Sequence, residues 1–151
     1  MAGSDRYPGA AHLVLQGVMV SGCGNVQAVV LPRLQSSFWQ VLPEVMQLED
    51  QLIADRLNAV LVGPGLWEPS RWWNQWTQQM LSISGLVVLD ADGINGLVAS
   101  PEGWRWLLQR QGPTWLPPML PSSRGYFQTL MQVMRLTGRL PQPAAAVVAF
   151  C

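Results

Sequence analysis

Two carboxylates and a glycine-rich turn are the residues of this 151-residue chain whose types and spacing could do chemistry. Asp90 and Asp92 follow the apolar run Leu86-Val87-Val88-Leu89. Carboxylates two positions apart at the carboxyl end of a strand can hold a metal or polarise a hydroxyl. For at least one of them a plainer arrangement is favoured, in which one caps the next helix and the other is solvated. Gly63-Pro64-Gly65-Leu66 lies between the run Ala59-Val60-Leu61-Val62 and a helical pattern. Glycines there let the backbone approach a ligand, and a helix N-terminus favours an anion, although a simple turn would use the same residues. His12, the single histidine, has no evident partner and reads as a packed or surface residue. Trp67, Trp72, Trp73, Trp76, Trp104 and Trp106 could form a stacking platform, but their helical spacing reads as core or inter-subunit packing. There is no Walker-type loop, no Cys/His metal spacing and no nucleophile elbow.

These groups need strands that end at them. Pro8-Gly9-Ala10-Ala11 opens a helical stretch that Gly22 or Gly24 can stop. Residues 26–31 read as a buried strand, and a helical segment through Phe38 and Trp39 leads to Pro43-Glu44-Val45-Met46. A short helix at 49–57 and a strand at 59–62 follow, then a helix at 69–81 and a strand at 86–89. A helix at 101–109 and a strand starting at 114–116 complete the pattern. Continuous apolar strands separated by helices imply an α/β fold with a parallel sheet covered on both faces. Ligands of such sheets bind beyond the carboxyl ends of the strands, where both candidate loops fall.

The totals exclude more than they assign. With 49% apolar and 12% charged residues the chain belongs to the globular class, since disorder needs the opposite balance. A formal charge of zero argues against nucleic-acid and anionic-membrane partners, which demand a basic surface. Cys23 and Cys151 lie far apart and no secretory pattern opens the chain, so a reduced cytoplasm is the expected compartment. Cys151, as the last residue, does not form a prenylation motif. The apolar stretch 13–31 is interrupted by Gln16, Ser21, Asn25, Gln27 and three glycines, which a membrane-spanning helix would not carry.

In order and spacing, five motifs resemble the ADP/ATP-dependent NAD(P)H-hydrate dehydratase family. They are Gly3-Ser4 with Tyr7-Pro8-Gly9-Ala10-Ala11, Ser21-Gly22-Cys23-Gly24-Asn25-Val26, Pro43-Glu44-Val45-Met46, Gly63-Pro64-Gly65-Leu66, and Leu89-Asp90-Ala91-Asp92-Gly93-Ile94-Asn95. The resemblance covers residues 2–116, about half of the family's domain. It implies a three-layer αβα, ribokinase-like fold with a mostly parallel sheet, here incomplete. It also implies repair of hydrated NADH or NADPH: the ring hydroxyl is phosphorylated by ADP or ATP, with Mg2+ compatible with that donor, and phosphate is then eliminated. On the family's pattern, Ala10, Gly63 and Gly65 contact the hydrated dinucleotide, and Asp90 and Asn95 shape the same crevice. A homo-oligomer is compatible with the complete protein. One departure stands in the first ligand loop, where the family usually has a further glycine and this chain has Trp67. An indole there could obstruct a close approach.

A larger departure follows Trp115. The family continues with a Thr-Pro-His-x-x-Glu-Phe motif, a strand ending in Lys-Gly, and a Gly-Gly-Thr-Gly-Asp loop that supplies the anion hole and the catalytic aspartate. None of these is present, so no catalytic residue and no metal ligand is assigned, and the chain alone is expected to be inactive. Residues 117–151 contain three arginines and no acid, and they are expected to be read out of frame. Removing one base from a coding string for Leu-Thr-Pro-His-Ala-Ala-Glu-Phe yields Leu116-Pro117-Pro118-Met119-Leu120-Pro121-Ser122-Ser123. Thus 1–116 is expected to be the N-terminal half of the dehydratase domain and 117–151 an irregular tail. An incomplete sheet exposes apolar faces and an edge, so marginal stability and aggregation are expected. Two alternatives remain at this point: a ribokinase-like small-molecule kinase, and a non-catalytic, Trp-rich remnant or interaction module.

Overall fold

β-Branched and leucine runs prefer extended backbone that buries them between layers, and here they form parallel ladders. A computed structural model of the chain describes residues 1–29, 38–48, 52, 56–67 and 69–117. The expected tail beyond residue 117 and most of the expected helix at 49–57 lie outside the described residues. The element order is α1 (Pro8–Val20), β1 (Gln27–Ala28), β2 (Met46–Gln47), β3 (Ala59–Val62), α2 (Pro69–Leu81), β4 (Leu86–Leu89), α3 (Asp92–Ala99), α4 (Gly103–Gln109) and β5 (Thr114–Trp115). β1 and β2 pair in parallel, Gln27 opposite Met46. A second parallel sheet runs β3-β4-β5, with Val62 opposite Leu89 and Val88 opposite Trp115. β3 and β4 therefore end level, which brings the loops after them side by side.

One face of that sheet is dry. Val60, Val62, Val87 and Leu89 alternate inward and pack with Trp73, Trp76 and Met80 of α2, Ile94 and Leu97 of α3, and Trp106 of α4. Each such side chain contributes about 1.5–3 kcal/mol on burial. Coverage of both faces was expected, yet Leu61 and Val88 on the other face are only half-buried among the described residues. Trp73, Trp76 and Trp106 are core: Trp73 and Trp106 meet edge to face at 5.4 Å, and the Trp106 indole N–H donates to Thr77 O at 2.8 Å. A second cluster joins Ala11 and Leu15 of α1 to Val26, Ala28, Phe38, Leu42 and Val45. His12 lies against it, its ring edge-on to Phe38 at 6.2 Å.

The residues that end the elements obey local rules. α1 stops at Gly22, whose φ of 89° only glycine adopts easily, and the Ser21 hydroxyl donates to Val18 O at 2.7 Å. α4 begins at Gly103 rather than at Pro101, because a turn at Pro101-Glu102 first brings the Gly103 backbone against Leu97 O. Two elements differ from the sequence expectation. β1 is confined to Gln27–Ala28 among the described residues, paired with a β2 that had not been read as a strand. α3 was also unread, since Gly93 and Gly96 depress helix propensity; burial of Ile94 and Leu97 to 1% exposure overrides that cost. Among the described residues no helix is long and apolar enough to cross a membrane.

Met1–Gly3 lie alongside β3: the Met1 ammonium donates to Leu61 O at 2.6 Å, and Gly63 N–H to Met1 O at 3.2 Å. Burial lowers the amine's pKa from 8.0 to about 6. Because the unfolded amine binds its proton more tightly, the unfolded state holds more protons between pH 6 and 8, and stability rises with pH across that window. The destabilisation is about 2–3 kcal/mol, complete below pH 6 and gone above pH 8. Thermal unfolding of the 151-residue chain should show Tm climbing from pH 6 to 8. An Nα-acetylated chain should give a flatter profile in the same window.

Candidate functional site

Gly63 follows β3 directly, at a φ of 131°. A Cβ on it would lie 1.7 Å from Asp90 O and 2.5 Å from Gly93 N. The two loops beyond β3 and β4 thus touch backbone to backbone. Asp90 N–H donates to Val62 O at 3.0 Å and Gly93 N–H to Asp90 O at 2.7 Å. The missing side chain of Gly63 is required by this contact between loops. Gly65, at φ 67°, meets α1 instead: a Cβ there would fall 2.6 Å from Ala10 Cβ and 2.9 Å from Tyr7 Cβ. Gly3 N–H donates to Pro64 O at 2.8 Å and fixes the turn before α1 on the same loop.

All five candidate residues, Ala10, Gly63, Gly65, Asp90 and Asn95, therefore belong to three segments that meet at the carboxyl edge of β3 and β4. The two carboxylates have different partners. Asp92, the first residue of α3, accepts the Trp67 N–H on Oδ2 at 2.9 Å and the Asn95 side-chain N–H on Oδ1 at 3.1 Å. It stitches the two loops together. Asp90 Oδ1 accepts the N–H of Ala91 at 2.8 Å, and its Oδ2 has no protein donor among the described residues. Neither carboxylate is the helix cap, because that place is held by Ala91 at φ 46° with no side-chain cap. Asp90 is half-buried with one free acceptor oxygen, suited to a hydroxyl or to a water on a cation. Among the described residues no three His, Cys, Asp or Glu side chains form a metal cluster, and Asp90 with one oxygen supplies a single ligand at most.

Trp67 takes the left-handed conformation, φ 54°, that suits the glycine of the resemblance. The residue is 43% exposed. The Arg6 guanidinium lies over its indole ring at 3.9 Å, and Tyr7 meets it edge-on at 6.0 Å. Sequence reasoning missed this stack; the adjacent Arg6-Tyr7 pair before the helix and the bulky residue in a glycine place were its signal.

Parallel strands, loops meeting at their carboxyl ends and a helix N-terminus on each loop define a mixed α/β protein of ribokinase-like type, incomplete in its sheet. The family profile of NAD(P)H-hydrate dehydratase matches residues 1–121, and the chain belongs to that family. It is 31% identical over 159 aligned residues to the bifunctional NAD(P)H-hydrate repair enzyme Nnr of Synechocystis sp., covering 97% of this chain and 29% of that protein. It is 32% identical over 167 residues to the enzyme of the same name from Gloeobacter violaceus, covering 99% and 30%. The Corynebacterium glutamicum enzyme is 32% identical over 143 residues, covering 94% and 24%. The chain spans less than a third of the length of these relatives. The family match favours the dehydratase reading over that of a ribokinase-like small-molecule kinase.

Proposed function

We propose that this chain forms the dinucleotide-binding part of an ADP- or ATP-dependent (S)-NAD(P)H-hydrate dehydratase and has no complete reaction site of its own. The relatives' names specify NAD(P)H-hydrate repair, and the carrying observation is the free Oδ2 of Asp90 where three loops interlock. In this reading Ala10, Gly63 and Gly65 form a close backbone floor, Asn95 and Asp92 hold the second loop, and Asp90 accepts a hydroxyl of the hydrated dinucleotide. The phosphoryl donor supplies the group that makes the ring hydroxyl a leaving group. No group of three His, Cys, Asp or Glu among the described residues could hold a metal, so Mg2+ fits this chain as an ion carried by the donor's phosphates. The compartment we propose is the cytoplasm, with no nucleic-acid or membrane partner, and homo-oligomer formation is compatible with this reading.

Calorimetry with NADPH tests the binding role. Asp90→Asn keeps the contact to the Ala91 N–H and replaces the free acceptor by a donor, so affinity should fall about tenfold while thermal unfolding is unchanged. Equal affinity in wild type and Asp90→Asn would remove Asp90 from the site. With hydrated NADH and ADP, the 151-residue chain should release no phosphate. For residues 117–151 the proposal remains an altered reading frame; the family match ends at residue 121, whereas the alignments to the Synechocystis and Gloeobacter enzymes cover 97% and 99% of the chain, and resequencing the gene around the codon for Pro117 decides it.

A further inference from the structure

A ligand with phosphate groups needs cations, yet the two loops present carboxylates. Asp90 and Asp92 both lie at the carboxyl edge, so the described loops by themselves repel an anion. Arg6 reverses this at the rim. Its guanidinium sits 3.9 Å over the Trp67 indole and 5.9 Å from the Tyr7 ring. Among the described residues nothing accepts a hydrogen bond from it, and it forms no ion pair there. Arg105, by contrast, pairs with Glu102 at 2.9 Å, and Arg110 is spent on backbone carbonyls.

We infer that Arg6, held on Trp67, is a phosphate-recognising residue of this chain, and that Trp67 is its platform. This deepens the binding role proposed above and rests on it. The chemistry is direct. A guanidinium presents five N–H donors in a planar fork that matches a phosphate, and stacking on an aromatic face fixes the plane without consuming a donor. The platform is rigid because the Trp67 N–H is bonded to Asp92 Oδ2, and Tyr7 stands against Gly65. The indole therefore does not obstruct the loop. It leaves the backbone in the glycine conformation and carries a cation to the mouth of the crevice. Trp67 holds a left-handed φ that costs a non-glycine residue stability, and a site for the arginine explains why a large ring stands at such a position.

The test is titration of the 151-residue chain with NADPH, NADH and ADP at fixed ionic strength. Arg6→Gln should weaken phosphate-bearing ligands about tenfold and flatten the salt dependence of binding. Loss with NADPH alone assigns the contact to the 2′-phosphate. Equal loss with NADPH and NADH assigns it to the pyrophosphate, and loss with ADP alone to the donor. Trp67→Gly should weaken the same ligand while raising Tm, because it relieves the left-handed backbone and removes the platform. Trp67→Phe should restore most of the affinity. A purely structural Trp67 would move stability and affinity together, and that outcome overturns the platform. If Arg6→Gln binds all three ligands as wild type does while Asp90→Asn weakens NADPH, the arginine role fails and the crevice stands. If wild type binds none of the three, both fail.

Discussion

Gly63→Ala is expected to abolish cooperative folding of the sheet edge and all ligand binding with it. The added methyl would lie 1.7 Å from Asp90 O and 2.5 Å from Gly93 N, both backbone atoms with no rotamer to escape by. The backbone itself, at φ 131°, is one an alanine scarcely adopts. Strain of this kind costs about 1–3 kcal/mol, and separating the loops also breaks the bonds Asp90 N–H to Val62 O and Gly93 N–H to Asp90 O. The sum is more than about 4 kcal/mol, a large part of a small domain's stability. Urea unfolding followed by far-UV circular dichroism measures it. Gly9→Ala is the control, since a Cβ at Gly9 meets nothing within 4 Å and gains helix propensity. A Gly63→Ala chain as stable as wild type would mean that the two loops are not joined as described.

Gly63 also shows what a sequence can and cannot disclose. A glycine between a strand and a helix announces an unusual backbone, and the strands at 59–62 and 86–89 and the helix at 69–81 are legible because their apolar periods agree with local propensity. What the glycine approaches is a tertiary fact. The spacing marks Gly63 as a point of close approach, and the structure adds that its missing side chain admits the Asp90 loop. α3 was invisible for the converse reason: its glycines argue against helix, and only the packing of Ile94 and Leu97 under the sheet makes it one. The division of labour between Asp90 and Asp92 depends on which N–H groups arrive from Trp67 and Asn95, twenty-five and three residues away. No spacing rule contains the first of those. The Trp67 departure was visible as a residue in a glycine place, but its outward turn onto Arg6 needed the loop geometry.

The second large effect is expected at Arg110, a residue that no motif marks. Its guanidinium donates to Met80 O, to Ile83 O at 2.7 Å, to Gly85 O at 3.0 Å and to Pro113 O at 3.3 Å, with Nε 3.3 Å from the Thr114 hydroxyl. Among the described residues no carboxylate takes part. The cation instead closes the C-terminal end of α2, where helical carbonyls lack partners and the dipole is negative, and ties it to the starts of β4 and β5. Burial lowers the arginine's pKa from its ordinary value, yet such a group stays protonated. Arg110→Ala strands several part-buried carbonyls at once, and the loss should be about 3 kcal/mol, or a fall in Tm of about 10 °C. Arg110→Met keeps an apolar stem near the Trp106 ring, 5.9 Å from the guanidinium carbon, and isolates the hydrogen-bonding share. Arg110→Lys should recover only a minority, because one ammonium cannot span carbonyls from three segments. If methionine is as stable as arginine, water serves those carbonyls equally well and the clamp is dispensable. If lysine restores stability, charge at the helix end matters and the planar fork does not.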